Sequence, residues 1–139
     1  MTKRIDYWLE AYARTLEEMR NEPFVWGTHD CIIFVARLLT AITDRDFVSE
    51  MRAKYQWTSE AEARATIAGR GGLESFVTEF LGEPLPSPHY AGQGDVVLVD
   101  APDDSEIAMI CDGNMLIGPG AEELMFLRRA HAKKAWRVG

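Results

Sequence analysis

The stretch FVWGTHDCIIFVARLL, Phe24 to Leu39, passes from a polar loop into an almost wholly apolar run, and the fold turns on how that run is read. Asp30 is a good helix N-cap, because its carboxylate can accept from the unpaired backbone N–H groups of a first turn. Ile33, Phe34, Arg37 and Leu38 then carry a helix from about Asp30 to roughly Ile42. Cys31 stands at its opening. A thiol at a helix N-terminus has its thiolate stabilised by the dipole and by free N–H groups, which makes it a better nucleophile. Cysteine is also among the residue types most often buried, and the negative charge of Asp30 opposes thiolate formation. On this stretch alone both readings stand, nucleophile or packed apolar residue.

Outward from it, the first half of the chain reads as helical. Ile5, Trp8, Leu9, Tyr12, Leu16 and Met19 recur every three or four residues, and Pro23 closes that helix. Thr58 to Ala68 forms another, stopped by Gly69, Gly71 and Gly72, and Leu73 to Leu81 a further one that ends at Gly82. Composition then changes. EPLPSPH, Glu83 to His89, is too proline-rich for helix and predicts an extended crossing segment. Strand-like runs follow at Val96 to Val99, Ile107 to Cys111, Met115 to Ile117, Glu123 to Leu127 and Ala135 to Val138, separated by Gly, Pro and Asp turns. Helices first and short antiparallel strands second predict an α+β domain over residues 1–139, helical in 1–82 and strand-rich in 90–139. Trp8, Phe34, Leu38, Phe76, Val97 and Ile110 are expected to share one core.

Composition narrows the function. The 139 residues carry a net charge of −7, which argues against general nucleic-acid binding, since phosphate contact relies on surplus Lys and Arg. The two cysteines, Cys31 and Cys111, form no CxxC pair, so neither a zinc framework nor a disulfide scaffold is indicated. Asp6 and Glu10 interrupt the place where an export signal's apolar run should follow Lys3 and Arg4. The apolar run from Cys31 to Ile42 is too short, and with Arg37 too polar, to span a bilayer that needs ~20 helical residues. A soluble protein without membrane insertion is the expectation. DAPDDSE, Asp100 to Glu106, lacks the ligand alternation and the glycine of a calcium loop and reads as a solvated hairpin turn. GRGG, Gly69 to Gly72, follows a helix and lacks a phosphate-binding lysine, so helix termination accounts for it. No cofactor or metal is expected.

WG-x-x-DC at Trp26 to Cys31, then Gly94, Asp95, Val96 and Val97, then IAMICDGN from Ile107 to Asn114 occur in an order that resembles the NlpC-type papain-like cell-wall peptidases. Those enzymes carry DC-S-G, GD-L-V-F and H-V-G-I-Y-x-G. More narrowly, the whole chain resembles a family of small phage and prophage tail proteins distantly related to them, which adds GG-L at Gly71 to Leu73 and the terminal AWRVG. The resemblance implies a papain-like fold with N-terminal helices packed on a small antiparallel sheet. It assigns Cys31 the nucleophile position and Asp95 a turn before the first central strand. It places the catalytic histidine at Ile107, which cannot take a proton from a thiol, and the orienting polar residue near Ile117 or Gly118. If the family geometry holds, Ile107, Met109 and Cys111 are the side of their strand that faces Cys31. Of the three histidines, His29 reads as a solvated turn residue, His89 as exposed, and His131 has no fixed direction.

The implied function is a structural component of a phage tail tip or baseplate with a vestigial Cys31, assembled in the host cytoplasm. It would contact other tail proteins, in several copies around the tail axis. The alternative is an active peptidoglycan cysteine hydrolase acting during DNA entry with Cys31 as nucleophile, and a third is an adaptor with no virion role. Arg128, Arg129, Lys133, Lys134 and Arg137 gather five of the fifteen basic residues at the C-terminus of an acidic chain. Arg128, Arg129, Lys133 and Lys134, with Trp57 and Trp136 as aromatic anchors, are the expected partner-binding residues.

Overall fold

Eight of the twelve residues of the helix Cys31–Ile42 are buried, which makes it the pivot of the architecture. A helix apolar nearly all round has no solvent face and must be enclosed by its neighbours. The computed structural model describes residues 2–139, and in it that helix, α2, is wrapped by α1 (Trp8–Met19), α3 (Phe47–Lys54), α4 (Glu60–Gly69) and α5 (Leu73–Leu81). Its remaining side is closed by a sheet of five antiparallel strands in the order β4-β3-β2-β1-β5. These are β1 (Val96–Asp100), β2 (Glu106–Cys111), β3 (Met115–Pro119), β4 (Leu124–Arg128) and β5 (Lys134–Trp136). The chain is therefore α+β, helices first and strands second. Among the described residues no helix is long and apolar enough to cross a membrane.

Local signals explain most of these elements. Asp30, Asp46 and Ser59 cap α2, α3 and α4 by accepting from the backbone N–H three residues on. The glycines after α4 take positive φ at Gly71 and Gly72, which lets the chain reverse into α5. One helix was not anticipated. In α3 only Phe47 and Met51 are buried, a single pair spaced by four, too little periodicity to stand out over eight residues.

The core divides by sheet face. Tyr12, Phe34, Leu38, Phe76, Leu98, Ile110, Trp136 and Val138 belong to one cluster between helices and sheet, so both halves of the chain contribute to it. Val97, Val99, Met109, Cys111, Leu116 and Ala135 form a second cluster on the opposite face. Val97 thus departs from the expected shared core, and Trp8 is only half-buried against it. The proline segment helps cover the second face: Leu85 packs there, and its N–H donates to the Ala135 carbonyl at 2.7 Å along the outer edge of β5.

Two buried carboxylates fix the loops. Asp95 is fully enclosed before β1 and accepts from Arg4 (3.0 Å), the Val138 N–H (2.9 Å) and the Gly92 N–H (2.8 Å). It thereby ties the N-terminal segment, the C-terminus and the central strand together. Asp30 does the same at the head of α2.

Candidate functional site

Cys31 lines a cleft of about 400 Å³ between the start of α2, α4 and the β1–β2 and β3–β4 turns. Phe24 and Trp26 form one wall, stacked edge to face at 4.9 Å, and Ile67, Ile107 and Met125 contribute apolar surface opposite. The thiol is half-buried. Desolvation, reinforced by the charge of Asp30, pushes it up to about 11, despite backbone hydrogen bonds at Ala108 and Ile32 that favour the thiolate. Burial therefore outweighs the helix N-terminus, and the thiol is protonated at neutral pH.

Asp30 explains why the loop before Cys31 takes this form. Its Oδ1 accepts from the Ile33 N–H at 2.9 Å, while Oδ2 accepts from the Gly27 N–H at 2.9 Å and the Trp57 indole N–H at 2.7 Å. Gly27 has φ of +82°, and a Cβ there would lie 2.2 Å from the Trp57 carbonyl oxygen, so only glycine fits. The Gly and Asp of WG-x-x-DC are thus a packing device, whereas its Trp26 lines the cleft.

The face of β2 that meets Cys31 is the reverse of the one expected. Ala108 and Ile110 point into the helix-side core, whereas Met109 and Cys111 belong to the opposite cluster and Ile107 packs against that cluster. Ile107 is half-buried and lines the cleft with an aliphatic side chain that can accept no proton. The residue across from the thiol is Ala108, which has no side chain able to accept a proton. Ile117 is buried in the core and Gly118 lies against the Met109 side chain, so neither orients a base.

None of the histidines repairs this. His29 is fully buried, contrary to the solvated turn expected of it. Its Nδ1 lies 3.2 Å from Glu22 Oε2 and 3.2 Å from the Arg37 guanidinium, and Nε2 has no hydrogen-bond partner among the described residues. Arg37 in turn pairs with Glu22 at 2.9 Å. His89 and His131 are exposed in short turns beside Ala91 and Ala132, which pack on the second sheet face.

The buried imidazole carries a pH consequence. Burial holds its pKa below the ordinary 6.5, outweighing the opposing pull of Glu22, while Arg37 lowers it and Asp30 raises it. A group depressed in the folded state contributes its full stability above the unfolded pKa and loses it as pH falls from there toward the folded value. Unfolding free energy of the wild type relative to His29→Gln is therefore expected to be flat above pH 7 and to decline below about 6.5, with a slope of at most about 1.4 kcal/mol per pH unit. Urea denaturation at a series of pH values measures it; a flat difference down to pH 5 would show that His29 does not titrate this way.

The basic C-terminus is already engaged. Lys133 pairs with Asp100 and Glu106, both at 2.7 Å, Lys134 with Glu74 at 3.5 Å, and Arg137 with Asp95 at 3.4 Å. Arg129 donates to the Gly113 carbonyl at 2.8 Å, the His89 carbonyl at 2.9 Å, the Ala91 carbonyl, and the Cys111 sulfur at 3.0 Å. Trp136 and Trp57 are core residues, with exposures of 0% and 6%, and the Trp136 indole donates to Thr78 at 3.3 Å. Of the expected partner-binding set, only Arg128 is exposed without an ion pair among the described residues. The acidic run is a hairpin turn as expected, but its end residues Asp100 and Glu106 hold Lys133.

The α+β chain thus brings a protonated cysteine to a largely apolar cleft, with two buried aspartates securing its loops. The chain belongs to a family described as a domain of unknown function, DUF6950, which matches residues 3–138. No curated protein matches it.

Proposed function

We propose that this chain is a non-catalytic structural component of a phage tail tip or baseplate, built on a degenerate papain-like fold of NlpC type. The observation that carries the loss of catalysis is that the backbone of Ala108 faces the Cys31 thiol and that no histidine is among the residues described as lining its cleft. The tail assignment rests on the order of WG-x-x-DC, Gly94–Asp95 and IAMICDGN, and the succession of helices and antiparallel strands is compatible with it. Its partners are neighbouring tail proteins, with several copies arranged about the tail axis.

An active peptidoglycan hydrolase is the second reading, favoured only by the opening of Cys31 into a cleft of about 400 Å³. Particles purified from the bacterium that encodes the chain separate the two. Mass spectrometry is expected to find the protein in particles, deletion to block tail assembly, and Cys31→Ser to restore both assembly and DNA delivery to wild-type levels. Absence from particles defeats the tail reading. Normal assembly with at least about tenfold lower DNA delivery by Cys31→Ser defeats the non-catalytic one.

A further inference from the structure

Between α1 and β4 the helix layer leaves part of the sheet uncovered. Leu16 on α1 and Leu124 and Phe126 on β4 border a trough of about 550 Å³ that has Ile117 in its floor. Phe126 pairs with the buried Ile117 across the ladder, so the two side chains share the helix-side face, yet Phe126 remains 55% exposed. Leu9, one helical face along from Ala13 and Leu16, is also 55% exposed. An aromatic ring left on an unfilled face beside further apolar surface is a mark of an interaction site.

The backbone beside it is unpaired as well. β4 is an edge strand, and the Leu124 N–H donates away from β3 to the Arg20 carbonyl at 3.1 Å. N–H groups alternate in direction along a strand, so Phe126 and Arg128 point theirs to the same open side. Natural edges are protected by proline, lysine, bulges or a covering segment, and Leu124 to Leu127 has none of the side-chain devices. Beyond Leu124 its outward backbone N–H groups make no hydrogen bond among the described residues.

Charge says what kind of partner fits. Glu17, Asp112 and Glu123 line the trough, and its one base, Arg20, is paired with Glu17 at 3.5 Å. With a net charge of −7, the chain as a whole attracts cations toward this rim. We infer that the trough between α1 and β4 docks an extended segment of a partner protein, one with an apolar anchor flanked by Lys or Arg. The segment pairs with the free backbone at Phe126 and Arg128, seats its anchor beside Phe126 and Leu16, and sets its cations against Glu17 and Glu123. This inference does not depend on the tail reading.

The test uses the full chain, isotopically labelled, and two blocked peptides, Lys-Lys-Leu-Val-Leu-Lys-Lys and its counterpart with Glu in place of every Lys. The basic peptide is expected to bind with chemical-shift changes confined to the end of α1 and to β4, and to weaken roughly tenfold between about 0.05 and 0.3 M salt. Phe126→Ser is expected to weaken it at least about tenfold, and Glu17→Gln with Glu123→Gln about fivefold, while Glu60→Gln on α4 leaves it unchanged. The double variant touches only surface groups and keeps the test valid if Phe126→Ser unfolds. No binding of the basic peptide, equal binding of the acidic one, or indifference to both variants overturns the proposal. A concentration-dependent dimer that Phe126→Ser converts to monomer also overturns it, since the occupant is then a second copy.

Discussion

Alkylation of Cys31 by iodoacetamide at pH 7, measured in a Cys111→Ser background, is expected to run at least about tenfold slower than that of an ordinary cysteine. A rise from 9.0 to about 11 leaves about a hundredfold less thiolate. A more basic thiolate is intrinsically more nucleophilic, which returns roughly tenfold of that. Half-burial slows the reaction further. The logarithm of the rate should climb with unit slope through pH 9 without a plateau. An activated papain-like cysteine, with a pKa of about 3–4, behaves oppositely, with its rate level from low pH upward. The contrast between the two therefore widens as pH falls, and fast modification assigned to Cys31 at pH 6 would sink the non-catalytic reading. The base would then have to be a carboxylate of the cleft lining, Asp103 or Glu106, since no histidine lines it.

Asp30→Ala is expected to destabilise the fold by about 3–7 kcal/mol, read from the shift in urea midpoint at constant slope. The loss has two parts. Removing the N-cap of α2 costs about 1 kcal/mol, with a range of roughly 0.5–2. The Gly27 N–H and the Trp57 indole N–H are then left without their acceptor in the interior, at about 1–3 kcal/mol each. Asp30→Asn keeps one oxygen as an acceptor but turns an amide toward donors, so it should recover about half of the deficit and no more. If alanine and asparagine both cost under about 1 kcal/mol, the loop is held by Gly27 and Trp57 packing and Asp30 is dispensable.

The amino-acid sequence by itself determined the succession of elements apart from α3. The apolar run after Asp30, the glycines after Ala68 and the proline-rich segment after Gly82 each act through local backbone preferences that hold in any surroundings. It also determined that Ile107 could supply no base, because residue identity settles that without geometry. Which side of β2 meets Cys31 was a different kind of question. Both sheet faces are covered, so Ile107, Met109 and Cys111 are as apolar as Ala108 and Ile110, and alternation without a polarity contrast cannot tell the faces apart. The charged residues were illegible for a related reason. His29 is buried because Glu22 and Arg37 converge on it, and the C-terminal bases are quenched by Asp100, Glu106, Glu74 and Asp95, partners brought together only by folding. A count of charges along the chain carries no distances, and Coulomb energy falls with distance, so the pairing, and with it the surface left free for a partner, was decided by the tertiary structure alone.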